Sequence, residues 1–138
     1  MRQAIHRERG AAAVELAITL PVVLLIIGGI VDFGLFFFAQ IQLTNAAREG
    51  ARAAIVTGTP APGGGPSQRA IAALPGYTPS PPVTVTVLYC DPGATNATVI
   101  VRDPKFEWLV LGPALKLVGS GDFLPTDVKA TAVMKCGG

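Results

Sequence analysis

One uninterrupted apolar run, from Leu16 to Ala39, constrains the fold of this chain more than any other feature. It reads LAITLPVVLLIIGGIVDFGLFFFA, and Asp32 is its only charged residue. As an α-helix rising 1.5 Å per residue, the run covers roughly 36 Å, enough to cross a hydrocarbon core about 30 Å thick with some tilt. A helix in a soluble core does not need this length without a polar face. The sequence therefore predicts one membrane-spanning helix over residues 11–39.

The charges that flank the run indicate its orientation. Arginines crowd the segment before it, whereas no Lys or Arg follows it until Arg48. The positive-inside rule then places the N-terminus in the cytoplasm and the C-terminal part outside it. A cleaved secretory signal peptide is the alternative, but it needs a shorter apolar region followed by a small-residue cleavage site. This run ends in the bulky FGLFFFAQIQ instead, which favours a retained anchor in the cytoplasmic membrane.

Composition excludes several classes of function. The 138-residue chain has a net charge of only +2, and its basic residues are not interleaved with aromatic ones, so nothing predicts a nucleic-acid partner. The only histidine, His6, precedes the apolar run, so the serines downstream lack a histidine base. The two cysteines, Cys90 and Cys136, cannot complete a zinc site by themselves. We therefore expect no catalytic residues, no metal and no cofactor, and hence no enzyme.

Two segments carry a resemblance to a known family. RERGAAAVELAITLPVVLLIIGGIVDFG, which begins at Arg7, and NAAREGARAA, which ends at Ala54, resemble TadE-like (TadE/TadG-type) minor pseudopilins of the tight-adherence (Tad/Flp) type IV pilus system. The shared elements are a short basic leader, the Gly10-Ala11 junction, Glu15 and an apolar helix directly after it. The resemblance covers over a third of the chain, and the downstream domain agrees only in outline. It implies that a prepilin peptidase removes the leader, residues 1–10, by cutting after Gly10.

Such a cut has a physical consequence, because it removes the basic leader and leaves the membrane anchor intact. The new ammonium group at Ala11 and the carboxylate of Glu15 then lie close along one helical face. A carboxylate in lipid is costly unless it is paired, so Glu15 is expected to pair with this ammonium group or with that of a neighbouring subunit. Alternatively, Glu15 simply complements the dipole at the helix N-terminus, and both roles are compatible.

Asp32 lies near the outer end of the predicted span. An acid in this place can reach the interface by snorkelling, which is the interpretation we adopt as the expectation. The alternative is a polar contact with a partner helix.

Beyond the span, residues 40–56 lack proline and are rich in alanine, so the helix is expected to continue outside the membrane. Small residues recur on one stripe at helical spacing, which allows close packing against a sheet. The stripe consists of Leu43 and the small residues Ala47, Gly50, Ala51 and Ala54.

Residues 57–138 are predicted to form a small extracytoplasmic α+β domain. The cluster of Gly and Pro from Thr57 to Pro66 predicts a loop, and a short helix is expected from Pro66 to Leu74. Alternating β-branched residues predict a roughly three-stranded sheet. Its strands are expected at Val83–Cys90, Ala97–Arg102 and Val128–Lys135.

Cys90 and Cys136 follow the first and third predicted strands. They could form one disulfide in an exported domain, or remain as two thiols. They meet most easily if these two strands are parallel neighbours, which predicts the sheet order 3-1-2. The apolar segment from Phe106 to Val118 is expected to close over the sheet as a strand or helical turn, with an exposed Trp108 and Leu109 contact patch as the alternative.

Two functions of different classes fit these patterns. The resemblance implies a pilin-like structural subunit that helps build or prime a pilus, with the peptidase, other pilin or pseudopilin subunits, the inner-membrane assembly machinery and the lipid bilayer as partners. The other is an uncleaved, single-pass membrane-anchored module that binds a ligand of the cell envelope.

Overall fold

The computed structural model describes residues 2–57, 65–90, 92–120 and 123–136, with the backbone alone over residues 2–9 and at residue 57. A long helix precedes two short helices and a three-stranded sheet, which confirms the predicted α+β fold. In chain order the elements are α1 (Arg2–Thr57), α2 (Pro66–Ala72), β1 (Thr84–Leu88), β2 (Asn96–Asp103), α3 (Leu111–Leu117) and β3 (Val128–Lys135). The predicted loop between Thr57 and Pro66 falls mostly on residues 58–64, outside the described residues.

Helix α1 joins the predicted span and its extension into one element of 56 residues. Pro21 lies inside it without ending it. Of the described residues, only α1, between Gly10 and Val56, forms a helix long and apolar enough to cross a membrane. Large apolar side chains stay exposed along its first half, from Val14 to Val31. Because water does not favour such a surface, α1 is compatible with a single-pass membrane anchor.

The chain forms two compact units. The first comprises residues 1–34 and 108–123, and the second comprises residues 35–107 and 124–138. We call them the anchor unit and the sheet unit.

The core of the sheet unit lies between β2 and the second half of α1. Strand β2 alternates along its length, and Ala97, Val99 and Val101 are buried. A Cβ atom built on Gly50 would lie 3.0 Å from Cγ1 of Val99 and 3.1 Å from Cβ of Ala70, so the backbone of α1 approaches β2 and α2 closely. The small-residue stripe is fully buried beside this contact, since Leu43, Ala47, Ala51 and Ala54 are 0% exposed.

The sheet order is β1-β2-β3 with both pairs antiparallel, so the predicted order 3-1-2 is wrong. Strands β1 and β3 do run parallel to each other, but β2 separates them by about 10 Å. Cys90 and Cys136 nevertheless form a disulfide with a Cα–Cα distance of 5.7 Å. Both lie beyond the ends of their strands, and the Cys136 N–H donates a hydrogen bond of 3.0 Å to the carbonyl of Thr95, just before β2 begins. The two edge strands therefore converge past the start of the middle one.

Candidate functional site

The residues of the expected processing site lie on the exposed surface of α1. Gly10, Ala11 and Glu15 are all exposed, and all three are helical. Ala11 and Glu15 are four residues apart and so share one helical face. The hydroxyl of Thr19 donates a 2.7 Å hydrogen bond to the carbonyl oxygen of Glu15, which leaves the Glu15 carboxylate uninvolved in that contact. Among residues 10–56, no described hydrogen bond or ion pair involves this carboxylate.

The surface of α1 that follows Glu15 is predominantly apolar. The exposed side chains belong to branched aliphatic residues for the most part, which present a continuous apolar cylinder to their surroundings. They include Leu16, Ile18, Leu20, Leu24, Ile26 and Ile30. Such a cylinder can be covered by lipid, or by the apolar helices of other subunits.

Asp32 is buried, with only 1% of its surface exposed, so the expectation of a snorkelling acid is wrong. Its carboxylate accepts hydrogen bonds from the backbone N–H groups of Leu109 at 3.0 Å, Val110 at 2.9 Å and Leu111 at 2.7 Å. Three donors to one charged acceptor are strong, charge-assisted bonds, and they offset the cost of removing the carboxylate from water. The acid also complements the positive end of α3, which begins at Leu111.

The segment that supplies these donors packs on α1 within the anchor unit. The predicted helical turn is present as α3, and its contacts within the anchor unit are with α1. Trp108 is 8% exposed and packs edge-on against Phe33, with ring centroids 5.6 Å apart, so it is not part of an exposed patch. Leu109 is exposed, as that alternative required.

Glycines in α1 make this packing possible. A Cβ atom on Gly28 would lie 2.4 Å from Cγ1 of Val110, a distance that no real side chain tolerates. Its neighbour Gly29 faces Leu111, where an added Cβ would meet Cδ2 at 3.8 Å. Sequence reasoning missed this contact, and the only available signal was the Gly28-Gly29 pair inside an otherwise bulky span.

A second buried acid lies in the sheet unit. Asp103 is 1% exposed and accepts hydrogen bonds from the Tyr77 hydroxyl and from the Lys105 backbone N–H, the latter at 3.0 Å. Burial, followed by the hydrogen bond to Asp103 and its negative charge, raises the pKa of Tyr77 above its ordinary value. These residues line an open groove together with Pro79, Ser80, Phe106 and Glu107.

Two pairs of polar side chains in the groove contact each other, and Tyr77 with Asp103 is the first of them. Lys105 pairs with Glu107 at 3.2 Å, and the Ser80 hydroxyl has no histidine among the groove residues. In the described part of the chain, no three His, Cys, Asp or Glu residues come together in a way that could hold a metal ion.

Comparison with known proteins bears on the helix rather than on the sheet. Residues 10–52 match the family model described as TadE-like protein, which confirms the resemblance that the sequence carries. The matched range begins at Gly10 and includes Glu15 and Asp32. No curated protein and no solved structure shows significant similarity to the chain.

Proposed function

We propose, from the premise that residues 10–52 are TadE-like, that this chain is a minor pilin-like subunit that helps assemble or prime a tight-adherence pilus. The observation that carries the proposal is the arrangement at the start of α1, where Gly10, Ala11 and Glu15 lie exposed immediately before an exposed apolar helix. The role is structural rather than catalytic.

The proposed sequence of events begins with insertion. The basic leader stays in the cytoplasm and α1 crosses the cytoplasmic membrane, with the sheet unit outside. A prepilin peptidase then cuts after Gly10, which removes the leader and creates an ammonium group on Ala11. Because the cut precedes the apolar run, the anchor is retained.

Charge pairing then sets the axial position of the helix relative to its neighbours in an assembly. The Glu15 carboxylate is exposed, and no described hydrogen bond or ion pair of residues 10–56 involves it, which supports its pairing with an ammonium group on a neighbouring subunit. In an apolar surrounding, this pairing offsets the cost of burying each charge and so specifies the stagger between adjacent helices. The exposed apolar side chains between Val14 and Val31 can exchange lipid for the helices of other subunits at little cost in free energy.

The test is the N-terminal residue of the mature protein, isolated from cells that contain the peptidase. We expect Ala11, and we expect Gly10→Leu to abolish the cut. Gly34→Leu is the matched control, because it makes the same change at a helical glycine with nothing within 4 Å of its added Cβ. An intact Met1 on the unmodified chain would overturn the proposed processing.

The alternative is an uncleaved membrane-anchored module, and the groove at Tyr77 and Asp103 is the observation that favours it. It predicts an intact Met1. The N-terminal residue of the mature protein therefore decides between the two functions.

A further inference from the structure

The segment from Trp108 to Ser120, which contains α3, is the feature of the anchor unit that the pilin role leaves unexplained. We refer to it as the α3 segment. We propose that it inserts into the outer leaflet of the membrane beside α1, and that Asp32 holds it at that depth. This inference rests on the proposed function in one respect, namely that α1 spans the membrane with its N-terminus in the cytoplasm.

The contacts with α1 specify the depth. If about 20 residues span the hydrocarbon core from Leu16 onward, the core ends near Leu35. Asp32 then lies about 5 Å, and Gly28 about 10 Å, below that outer boundary. Val110 is packed directly on Gly28, so the α3 segment has to reach into the lipid-facing part of the helix.

Several backbone N–H groups of the α3 segment meet the condition that lipid imposes, which is that polar groups find partners within the protein. The N–H groups of Leu109, Val110 and Leu111 donate to Asp32. At the end of α3, the N–H groups of Val118 and Ser120 donate to the carbonyl of Leu115 at 3.1 Å and 2.9 Å. The requirement is mutual, because a carboxylate within the span is costly unless donors surround it.

The outward side chains of the α3 segment are apolar. Leu109 is 65% exposed, Leu117 is 90% exposed and Val118 is 79% exposed. Each would be unfavourable in water by about 25 cal/mol for every Å² of apolar surface, whereas lipid covers that surface without such a cost. Lys116 is the segment's only charged residue, and its long apolar stem lets the ammonium group reach the headgroups.

Lipid is the occupant that the geometry favours over a second protein chain. The exposed surface of the α3 segment belongs to the same compact unit as the exposed apolar surface of α1, including Ile30 at 69% exposure. The lipid that covers Ile30 along the span therefore also lies at the depth of Leu109 and Val110.

The test uses the full chain in vesicles of phosphatidylcholine, with or without bromine on the acyl chains, and measures contact quenching of tryptophan fluorescence. Leu117→Trp places the probe in the α3 segment, and Leu88→Trp is the matched control on another exposed leucine, in β1. Ile30→Trp reports on the span itself. The signal of the native Trp108, measured in the parent, is subtracted from each.

We expect brominated lipid to remove most of the added fluorescence of Leu117→Trp and of Ile30→Trp, and to leave that of Leu88→Trp unchanged. Quenching at Ile30 without quenching at Leu117 would overturn this inference, although α1 would still be a membrane anchor. A second protein chain bound on α3 would give this same result. Absence of quenching at Ile30 would instead overturn the anchor.

The role assigned to Asp32 has its own readout. In the Leu117→Trp background, Asp32→Ala leaves three backbone N–H groups without their acceptor, so the segment is expected to leave the lipid. Quenching at Leu117 should fall to the level of the Leu88→Trp control. Undiminished quenching would overturn the claim that Asp32 holds the segment at that depth.

Discussion

Gly28 and Val110 approach so closely that a Cβ atom on the glycine would lie 2.4 Å from Cγ1 of the valine. The two residues are far apart in the chain, and their contact brings the α3 segment against α1 within the anchor unit. Any side chain at position 28 must therefore displace Val110.

Gly28→Ala is expected to loosen the α3 segment. Alanine is the better helix former by about 1 kcal/mol, but overpacking costs about 1–3 kcal/mol, so the free energy of unfolding should fall. Trp108 is the only tryptophan, and its emission in detergent micelles should shift to longer wavelength as its contact with Phe33 weakens. Gly34→Ala is the control, with open space around the added methyl group. Identical spectra for the two variants would contradict the packing.

Asp32→Asn should speed hydrogen exchange at the amides of Leu109, Val110 and Leu111. The asparagine side chain has the same size as aspartate but only one acceptor oxygen. Its NH₂ group is a donor and cannot accept from the backbone N–H groups that it faces. Leaving one buried donor unsatisfied costs about 1–3 kcal/mol, so exchange should rise roughly tenfold or more. Asp127→Asn is the control, because Asp127 forms an exposed ion pair with Arg102 and such pairs contribute little. Unchanged protection in Asp32→Asn would show that these bonds do not hold the segment.

Glu15→Ala is expected to reduce piliation while membrane insertion stays normal. The variant keeps the apolar run and loses only the charge that we propose to pair with a neighbouring subunit. The measurement compares the amount of pili sheared from cells with the amount of the chain in the membrane fraction. Val14→Ala is the control, since it trims an exposed neighbour on the same helix without touching charge. Normal piliation by Glu15→Ala would refute the pairing role.

Replacing Cys90 and Cys136 together by serine should destabilise the sheet unit. The disulfide closes a loop with a sequence separation of 46 residues, for which the chain-entropy relation gives about 4 kcal/mol. Urea denaturation of the full chain in mild detergent should show a lower midpoint, and reduction of the parent should give the same shift. An unaltered midpoint would mean that other contacts hold positions 90 and 136 together in the chain without the disulfide.

Alkaline pH should destabilise the sheet unit through Tyr77. Burial and Asp103 raise the pKa of Tyr77 above its ordinary value of about 10. A group whose pKa is raised in the folded state stabilises the fold fully below the unfolded pKa. That stabilisation is lost as the pH rises from about 10 towards the folded-state pKa. Urea midpoints measured from neutral pH upward should therefore fall in this window, and Tyr77→Phe should remove the dependence while Tyr89→Phe retains it.

Local patterns in the sequence predicted most of the elements. The alternation in VKATAVMK predicted β3 with the bounds that the structure has, Val128 to Lys135. The small-residue stripe around Ala47 and Ala51 is buried because a helix face without bulk can approach a strand closely. In each of these elements, the spacing of apolar or small residues along the sequence matches the face that is buried in the structure.

Strand order could not be predicted in the same way. Parallel β1 and β3 bring Cys90 and Cys136 to one edge whether or not β2 lies between them, since residues beyond the strand ends can converge. The cysteine positions are therefore compatible with both orders. The short connection between β1 and β2 does not decide between the orders either, because β1 and β2 are neighbours in both.

The partner of Asp32 was invisible for a different reason. Its ligands are backbone N–H groups that begin 77 residues further along the chain, and every residue except proline carries such a group. No side-chain pattern could mark them. These N–H groups are identified only by the geometry at the start of α3 and by the glycines that let Val110 approach α1.

The helical state of Gly10 has a consequence for proteolysis. Helix α1 begins at Arg2, so the bond between Gly10 and Ala11 lies within regular helix, where its carbonyl and amide are engaged along the axis. A peptidase that attacks this carbonyl has to unwind the first turns before it can act. Glycine lowers the cost of that unwinding by about 1 kcal/mol relative to alanine. Under the proposed processing, we therefore expect recognition by the peptidase to depend on how readily the helix opens at Gly10, and glycine favours that opening.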